Sequence, residues 1–425
     1  MRVVIVGGGI AGLTVAYRLR GRAHVTLLEE RDRLGGVIRT EHDGGFLIEG
    51  GPDSFLTTKP WAAELARELG LGDRIITPQA REVYVVSRGK LERLPDGVFL
   101  TVPTRMGPWM KTKLLSTWGK LRAGMDLVLP RGAEADDESI GSFVRRRLGR
   151  EVAEKLADPI MAGIYMADAD RISLRATFPR FADLERDHRS LIRGLRRQKT
   201  SGSLSPFASL RGGIGELADA LIAALEATVR TRTSVSRVEP GRVVTGDGPI
   251  EADAVVLAVP PAAASAMLAP SALADAIARI RSVGSVTVSL GYRGVALPPG
   301  TGFVIPRAER RSIIACTWSS QKFAGRAPEG HVLVRCFLGE ESADPVAEAR
   351  DDLQRLLGIA AEPAVSRVFR WPGANPVYEV GHLARVREIE SLTPPGLFLT
   401  GSGFRGIGLP DGIRDATEIA SRVAR

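Results

Sequence analysis

Apolar and polar positions alternate with two different periods along this chain, and the first change of period is the sharpest. Arg2–Val6 is a short β-branched run of the kind that forms a buried parallel strand. Residues 13–19 then repeat with helical spacing, and His24–Leu28 returns to a strand pattern ending on Glu29. Strand, helix and strand in that order predict a βαβ unit. Further on, residues 61–69 read as an amphipathic helix stopped by Gly70 and Gly72. Residues 81–86 and 90–94 read as a hairpin. Residues 139–148 and 151–164 read as two helices divided by Gly149. Residues 283–292, 301–306, 313–318 and 331–338 are β-rich and spaced like one sheet, with residues 345–357 as a helix crossing it. Residues 207–217 restart the βαβ unit with a helix running to Ala227, followed by strands at 234–238 and 254–259. Residues 397–425 are strand, glycine-rich turn and helix.

Between the first strand and helix lies Gly7-Gly8-Gly9-Ile10-Ala11-Gly12, the G-x-G-x-x-G pattern. Gly7 allows the tight turn, Gly9 lets backbone approach a pyrophosphate, and Gly12 lets helix and strand pack closely. Helix N–H groups and the helix dipole favour phosphate there. Glu29 stands about 20 residues onward, where an acid accepts ribose hydroxyls. A glycine-rich turn alone would be weak, but here every part of a dinucleotide site is in order. The continuation Glu29-Glu30-Arg31-Asp32-Arg33-Leu34-Gly35-Gly36 resembles the flavin amine oxidase superfamily, which implies FAD rather than a nicotinamide. Residues 44–55, with Gly51-Pro52-Asp53-Ser54, would bring backbone beside the flavin, or else simply end a hairpin.

At 425 residues, two or three domains are expected. No uncharged apolar stretch of transmembrane length occurs, and the glycine triplet interrupts what could pass for a signal sequence. Two cysteines, Cys316 and Cys336, suggest a reducing compartment, hence a cytoplasmic protein. The five histidines show no metal-ligand spacing. A net charge of +9 admits nucleic acid, acidic lipid or a polyanionic small molecule. Without a nucleic-acid-binding signature, no nucleic acid partner is expected. In residues 99–130, Met110, Leu114, Trp118, Leu121 and Met125 keep helical spacing beside Lys111, Lys113, Lys120 and Arg122. Such a helix either packs on its own domain, the commoner case, or makes weak peripheral contact with the inner face of a membrane. Residues 171–199 carry Arg171, Arg175, Arg180, Arg186, Arg189, Arg193, Arg196 and Arg197. Such a run is usually a solvated face, though guanidiniums also suit substrate carboxylates.

Several stretches together resemble the oxygen-dependent porphyrinogen oxidases: residues 157–165, 302–306, Trp318-Ser319-Ser320, 376–382 (Pro-Val-Tyr-Glu-Val-Gly-His) and 401–413. The resemblance spans nearly the whole chain; Gly412 stands where the family often has cysteine. It implies an α/β fold in three parts: a Rossmann-like FAD-binding domain from residues 1–60, 207–263 and 371–425, a mixed-sheet substrate domain from 61–98 and 264–370, and a helical domain, 99–206. It carries FAD contacts onto Gly7–Gly12, Glu29, Glu30, Val37, Gly51, Pro52, Asp53, Ser54, Val235 (through its backbone), Trp371, Ile407, Gly408 and Leu409. Arg81 would fix a propionate, Val304 and Phe337 would sandwich the macrocycle, and Gly302 would let it approach the flavin. The implied reaction is three two-electron oxidations of a porphyrinogen by molecular oxygen through FAD, with hydrogen peroxide as by-product and a haem-pathway enzyme as candidate partner. The basic balance favours coproporphyrinogen III, with four propionates, over protoporphyrinogen IX, with two. An amine oxidase would need an aromatic cage, which Trp371 alone does not make, and a non-catalytic escort protein of the same fold is the remaining alternative.

Overall fold

The computed structural model describes residues 1–132, 136–197 and 206–425. Three sheets and a helical block organise them. The βαβ unit appears as expected: Arg2–Val6 pairs in parallel with His24–Leu28 on one side and with Ala254–Leu257 on the other. Leu397–Leu399 and Ala227–Arg230 extend this to a five-stranded parallel sheet. Parallel strands are covered on both faces. One face carries the helices Ile10–Leu19, Gly215–Ala223 and Leu409–Val423. The other carries the three-stranded sheet Val235–Glu239, Arg242–Thr245, Gly248–Glu251 and two short helices. The helix expected to reach Ala227 ends at Ala223, and Ala227–Arg230 becomes the edge strand instead. Pairing with His24–Leu28 overrides the helical propensity of its alanine.

A seven-stranded mixed sheet contains Val83–Ser87, Gly302–Val304, Ile313–Thr317, His331–Leu338, Ser282–Arg293 and Val365–Pro376, with Lys90–Arg93 at its edge. Only the Gly302–Val304 to Val83–Ser87 pairing is parallel. The helix Pro345–Leu357 covers one face, with Asp344 accepting at its N-cap from Ala347 N at 3.1 Å. Residues 365–376 form one unbroken strand, so the sequence boundary drawn between 370 and 371 falls inside it.

The helical block includes Ile140–Leu148 and a run from Arg150 to Tyr165 that passes through a π turn at Ala153–Ala157. Its centre is an ion pair: Arg147, 1% exposed, holds Asp126, 0% exposed, at 2.6 Å. Asp126 also accepts from Ser190 Oγ and Ile192 N, so each buried polar atom of its carboxylate is matched. Residues 99–130 do not form one helix. They break into Met106–Lys111 and Thr117–Gly124, the second capped by Ser116 Oγ accepting from Gly119 N. Leu114 is buried, but Trp118 is 79%, Leu121 52%, Met125 47% and Val128 74% exposed. The expectation that this stripe packs on its own domain therefore fails for most of its residues.

Candidate active site

The cradle at the end of the parallel sheet follows from the spacing of its glycines. A Cβ on Gly12 would overlap Gly7 O, so only glycine lets the first helix lie this close to the strand. Gly9 is different. It is the helix N-cap in extended backbone, and a Cβ there would meet nothing nearer than Gly36 Cα at 4.0 Å. Conversely, a Cβ on Gly36 would stand 3.0 Å from Gly9 Cα. Two glycine backbones thus face each other over a gap that any side chain would fill. Arg33 holds the second loop in place by donating to Leu34 O, Gly36 O and Ile38 O at 2.6–3.1 Å. Glu29 is buried, accepting from Gly8 N at 2.7 Å and from Arg31 N at 3.0 Å. Glu30 is exposed beside it. Thr233 N donates to Glu29 O, which brings the strand beginning at Val235 alongside.

Residues 50–54 cross over this loop so tightly that a Cβ on Gly51 would overlap Val37 O. The crossing is anchored at Gly50 O, which accepts from Trp371 Nε1 at 2.8 Å, Thr287 Oγ1 at 3.2 Å and Arg335 Nη2 at 3.3 Å. Beyond Pro52, Asp53 accepts from Lys322 Nζ at 2.8 and 2.9 Å and from Ser54 Oγ at 2.6 Å. Burial works against the Asp53 carboxylate, but the positive charges of Lys322 and Arg335 outweigh it and hold the pKa at about 2. The third wall is Ile407-Gly408-Leu409, where Gly408 caps the last helix. A Cβ on Gly412 would lie 4.0 Å from Ile10 Cγ2, so the first and last helices begin side by side. Lys59 Nζ to Asp411 Oδ2, 2.6 Å, ties that helix to the 50–60 segment. Two helix N-termini, two glycine turns and a buried ribose-type acid fit a dinucleotide with a diphosphate and a hydroxyl-bearing sugar.

The neighbouring sheet presents an apolar floor. Register sets Val304 against Ala315, Ala315 against Phe337, Phe337 against Thr287 and Thr287 against Phe369, all on one face. Val304 and Phe337 are therefore two strands apart on one floor, and they do not oppose each other across a slot. The facing element is the helix Asp158–Tyr165, where a Cβ on Gly163 would sit 3.4 Å from Val304 Cγ1 and 3.5 Å from Ala315 Cβ. Gly302 has a reason of its own: with φ +139°, its Cβ would run into Cys316 O, so strand pairing already demands glycine there. Arg81 is exposed, two residues before Val83, the partner of Gly302. Gln79 N donates to Lys322 O and Thr301 N to Glu82 O, so Arg81 stands at the end of the floor nearest Asp53.

Arg335, Lys322, Lys59, Asp411 and Thr287 were not singled out from the sequence. Arg335 carried a signal, a charge on the inward side of an otherwise apolar strand. The others are joined to the site only through contacts distant in sequence. Of the arginine-rich run, Arg171 pairs with Glu379 and Arg186 with Asp183 and Asp187, as for a solvated face; Lys199 lies outside the described residues. Among the described residues, no cluster of His, Cys, Asp and Glu could hold a metal, and no helix is long and apolar enough to cross a membrane.

The comparison with known proteins agrees with this geometry. Residues 10–424 match the family described as flavin-containing amine oxidoreductase. A coproporphyrinogen III oxidase of Propionibacterium freudenreichii is 38% identical, covering 99% of this chain and 90% of that protein. The Bacillus subtilis coproporphyrinogen III oxidase is 34% identical, covering 96% and 95%. A crystal structure from Exiguobacterium sp. 255-15, described as a candidate protoporphyrinogen oxidase, superposes with a TM-score of 0.91 at 31% identity, covering 100% of this chain and 98% of that one. A glycine-lined dinucleotide cradle, a second glycine pair held by Arg33 and a family match over nearly the whole chain lead to the same place: the chain belongs to the flavin-containing amine oxidoreductase family, and its cofactor is FAD.

Proposed function

We propose that this protein oxidises coproporphyrinogen III to coproporphyrin III, with molecular oxygen as final acceptor. The observation that carries the reading is the apolar floor of Val304, Ala315 and Phe337 ending at the flavin cradle, in a chain whose full-length relatives include the coproporphyrinogen III oxidases of Propionibacterium freudenreichii and Bacillus subtilis. When bound, FAD supplies a two-electron hydride acceptor that oxygen can reoxidise, giving hydrogen peroxide. The chain supplies placement. The sheet offers an apolar face to a flat macrocycle, and the helix Asp158–Tyr165, packed on Val304 and Ala315, closes one end of that face to water. Arg81 holds a propionate at the rim, where a guanidinium makes two parallel hydrogen bonds to a carboxylate. Glu29 holds the ribose, while Gly9, Gly36 and the two helix N-termini hold the diphosphate. Aromatisation drives the reaction, so a strong side-chain base is not required. The net charge of +9 supports a tetra-anionic substrate over a dianionic one. Protoporphyrinogen IX is the second reading, on the strength of the Exiguobacterium structure. Turnover of both porphyrinogens measured in parallel decides; a larger kcat/KM for protoporphyrinogen would reverse the assignment. An amine substrate is disfavoured, because Trp371 is buried, stacked on Phe369 and bonded to Gly50 O.

A peripheral membrane contact belongs to the same reading. Residues 97–125 contain no Asp or Glu, while Lys111, Lys113 and Lys120 flank the exposed Trp118, Leu121 and Met125. Apolar exposure ringed by cations suits an anionic lipid surface. Salt-sensitive co-sedimentation with anionic vesicles, lost on replacing the three lysines, is expected. A protein that stays in the supernatant at low salt would remove this part of the proposal.

A further inference from the structure

The 376–382 stretch has no role in the site as described so far, yet two of its side chains reach the flavin loop. That loop, residues 401–408, leaves the parallel sheet after Leu397–Leu399 and leads into the capped helix Leu409–Val423. Ligands bind such sheets at this carboxyl edge. Tyr378 Oη donates to Ser402 O at 2.7 Å and accepts from Gly406 N at 2.7 Å. The His382 ring stacks on Tyr378 with centroids 3.7 Å apart and planes 13° apart. Its Nε2 stands 2.9 Å from Phe404 O. A carbonyl only accepts, so Nε2 carries the proton. Two stacked, buried rings thus satisfy three alternate backbone groups of one loop, at residues 402, 404 and 406.

The stretch is itself fastened from the helical block. Ser173 N donates to Tyr378 O at 2.7 Å, Val380 N to Arg171 O at 3.1 Å, and Gly381 N to Asp137 Oδ2 at 2.9 Å. Arg171 also pairs with Glu379. The flavin loop is therefore held by an element clamped to the helical block, whose helix Asp158–Tyr165 faces the substrate floor.

We infer that Tyr378 and His382 are positioning residues that latch the 401–408 loop in its FAD-binding conformation. They act on the cofactor through the loop and through the placement of Gly408 at the helix N-terminus. The inference rests on the FAD reading above. Without the latch, the free loop samples other conformations, and binding must select the competent one, which weakens apparent affinity by the fraction populated.

The test is FAD titration into apoprotein, followed by flavin fluorescence, alongside melting of the apo form. Tyr378→Phe removes both loop hydrogen bonds and keeps the stack; FAD affinity should fall about ten- to hundredfold. His382→Met removes the Phe404 donor and should weaken FAD about tenfold. His382→Gln, whose amide can stand in for Nε2, should restore affinity to within about threefold of the wild type. That rescue is what a merely structural role would not produce. If Tyr378→Phe does not fold, the two His382 variants decide. Wild-type affinity in Tyr378→Phe and His382→Met, or equal loss in His382→Gln and His382→Met, would overturn the latch alone. A wild-type apoprotein that does not take up FAD would instead overturn the cofactor assignment beneath it.

Discussion

Gly9→Val and Gly12→Ala should fail in opposite ways. At Gly12 even a methyl would overlap Gly7 O, so helix and strand must separate to admit it. Overpacking of this kind costs about 1–3 kcal/mol or more of stability. At Gly9 the backbone is extended and the nearest atom to a new Cβ is 4.0 Å away, so the Cβ itself clashes with no protein atom. Valine is a poorer N-cap than glycine by up to about 1 kcal/mol, and a stiffer unfolded chain returns about 0.4–1 kcal/mol of that. The folded apoprotein should therefore be within about 1 kcal/mol of wild type by urea unfolding. FAD binding is another matter, because the isopropyl group occupies the approach to the diphosphate. Charge-assisted hydrogen bonds are worth about 1.5–3 kcal/mol each. Losing two weakens FAD by about 3–6 kcal/mol, or roughly 10²- to 10⁴-fold. Flavin titration of the refolded apoproteins reads the difference. Stoichiometric FAD in Gly9→Val at micromolar protein, or a Gly9→Val chain that does not fold, would refute the cradle.

Arg81→Ala should lower kcat/KM for coproporphyrinogen III about ten- to hundredfold with flavin content unchanged, and Arg81→Lys should recover only part of it; an unchanged kcat/KM removes Arg81 from the substrate site. Arg147→Met should cost about 3–5 kcal/mol of stability, because it strands the buried Asp126 carboxylate without its partner; a loss under 1 kcal/mol in chemical denaturation would contradict that pairing. Asp53 has its pKa lowered from 3.8 to about 2, so the stability it contributes is fully present above pH 3.8 and is lost as pH falls through about 2. Melting temperature against pH should therefore fall less steeply over that window in Asp53→Asn than in the wild type, and coincident curves would count against the Lys322–Asp53–Arg335 cluster.

The parts of the site read most completely from the sequence are those whose chemistry is local. The tight turn at Gly7–Gly12, the acid at Glu29 and the loop at Gly35-Gly36 each depend on residues a few positions apart. The strand His331–Leu338 and the helix Pro345–Leu357 were legible to the residue, since an apolar run and a 3.6-residue stripe report burial directly. The strand Val365–Pro376 went unrecognised, because Pro372 and Gly373 interrupt it and charged residues occupy its exposed side. The resemblance points to Trp371, but its bond to Gly50 O belongs to a strand the pattern does not reveal.

From its sequence alone this chain commits to a βαβ nucleotide unit, a glycine-lined phosphate turn and an apolar sheet, all consequences of short-range sterics and hydrophobic period. Only the tertiary structure brings Thr287, Arg335 and Trp371 to one carbonyl, sets Lys59 against Asp411, and lays Val304 and Phe337 on the same floor. Register and crossing depend on which strands find each other across dozens to hundreds of residues, and no local pattern encodes that. The stripe from Met110 to Met125 makes the same point at the surface: periodicity states that a helix has an apolar face, while only the packed chain determines whether anything covers it.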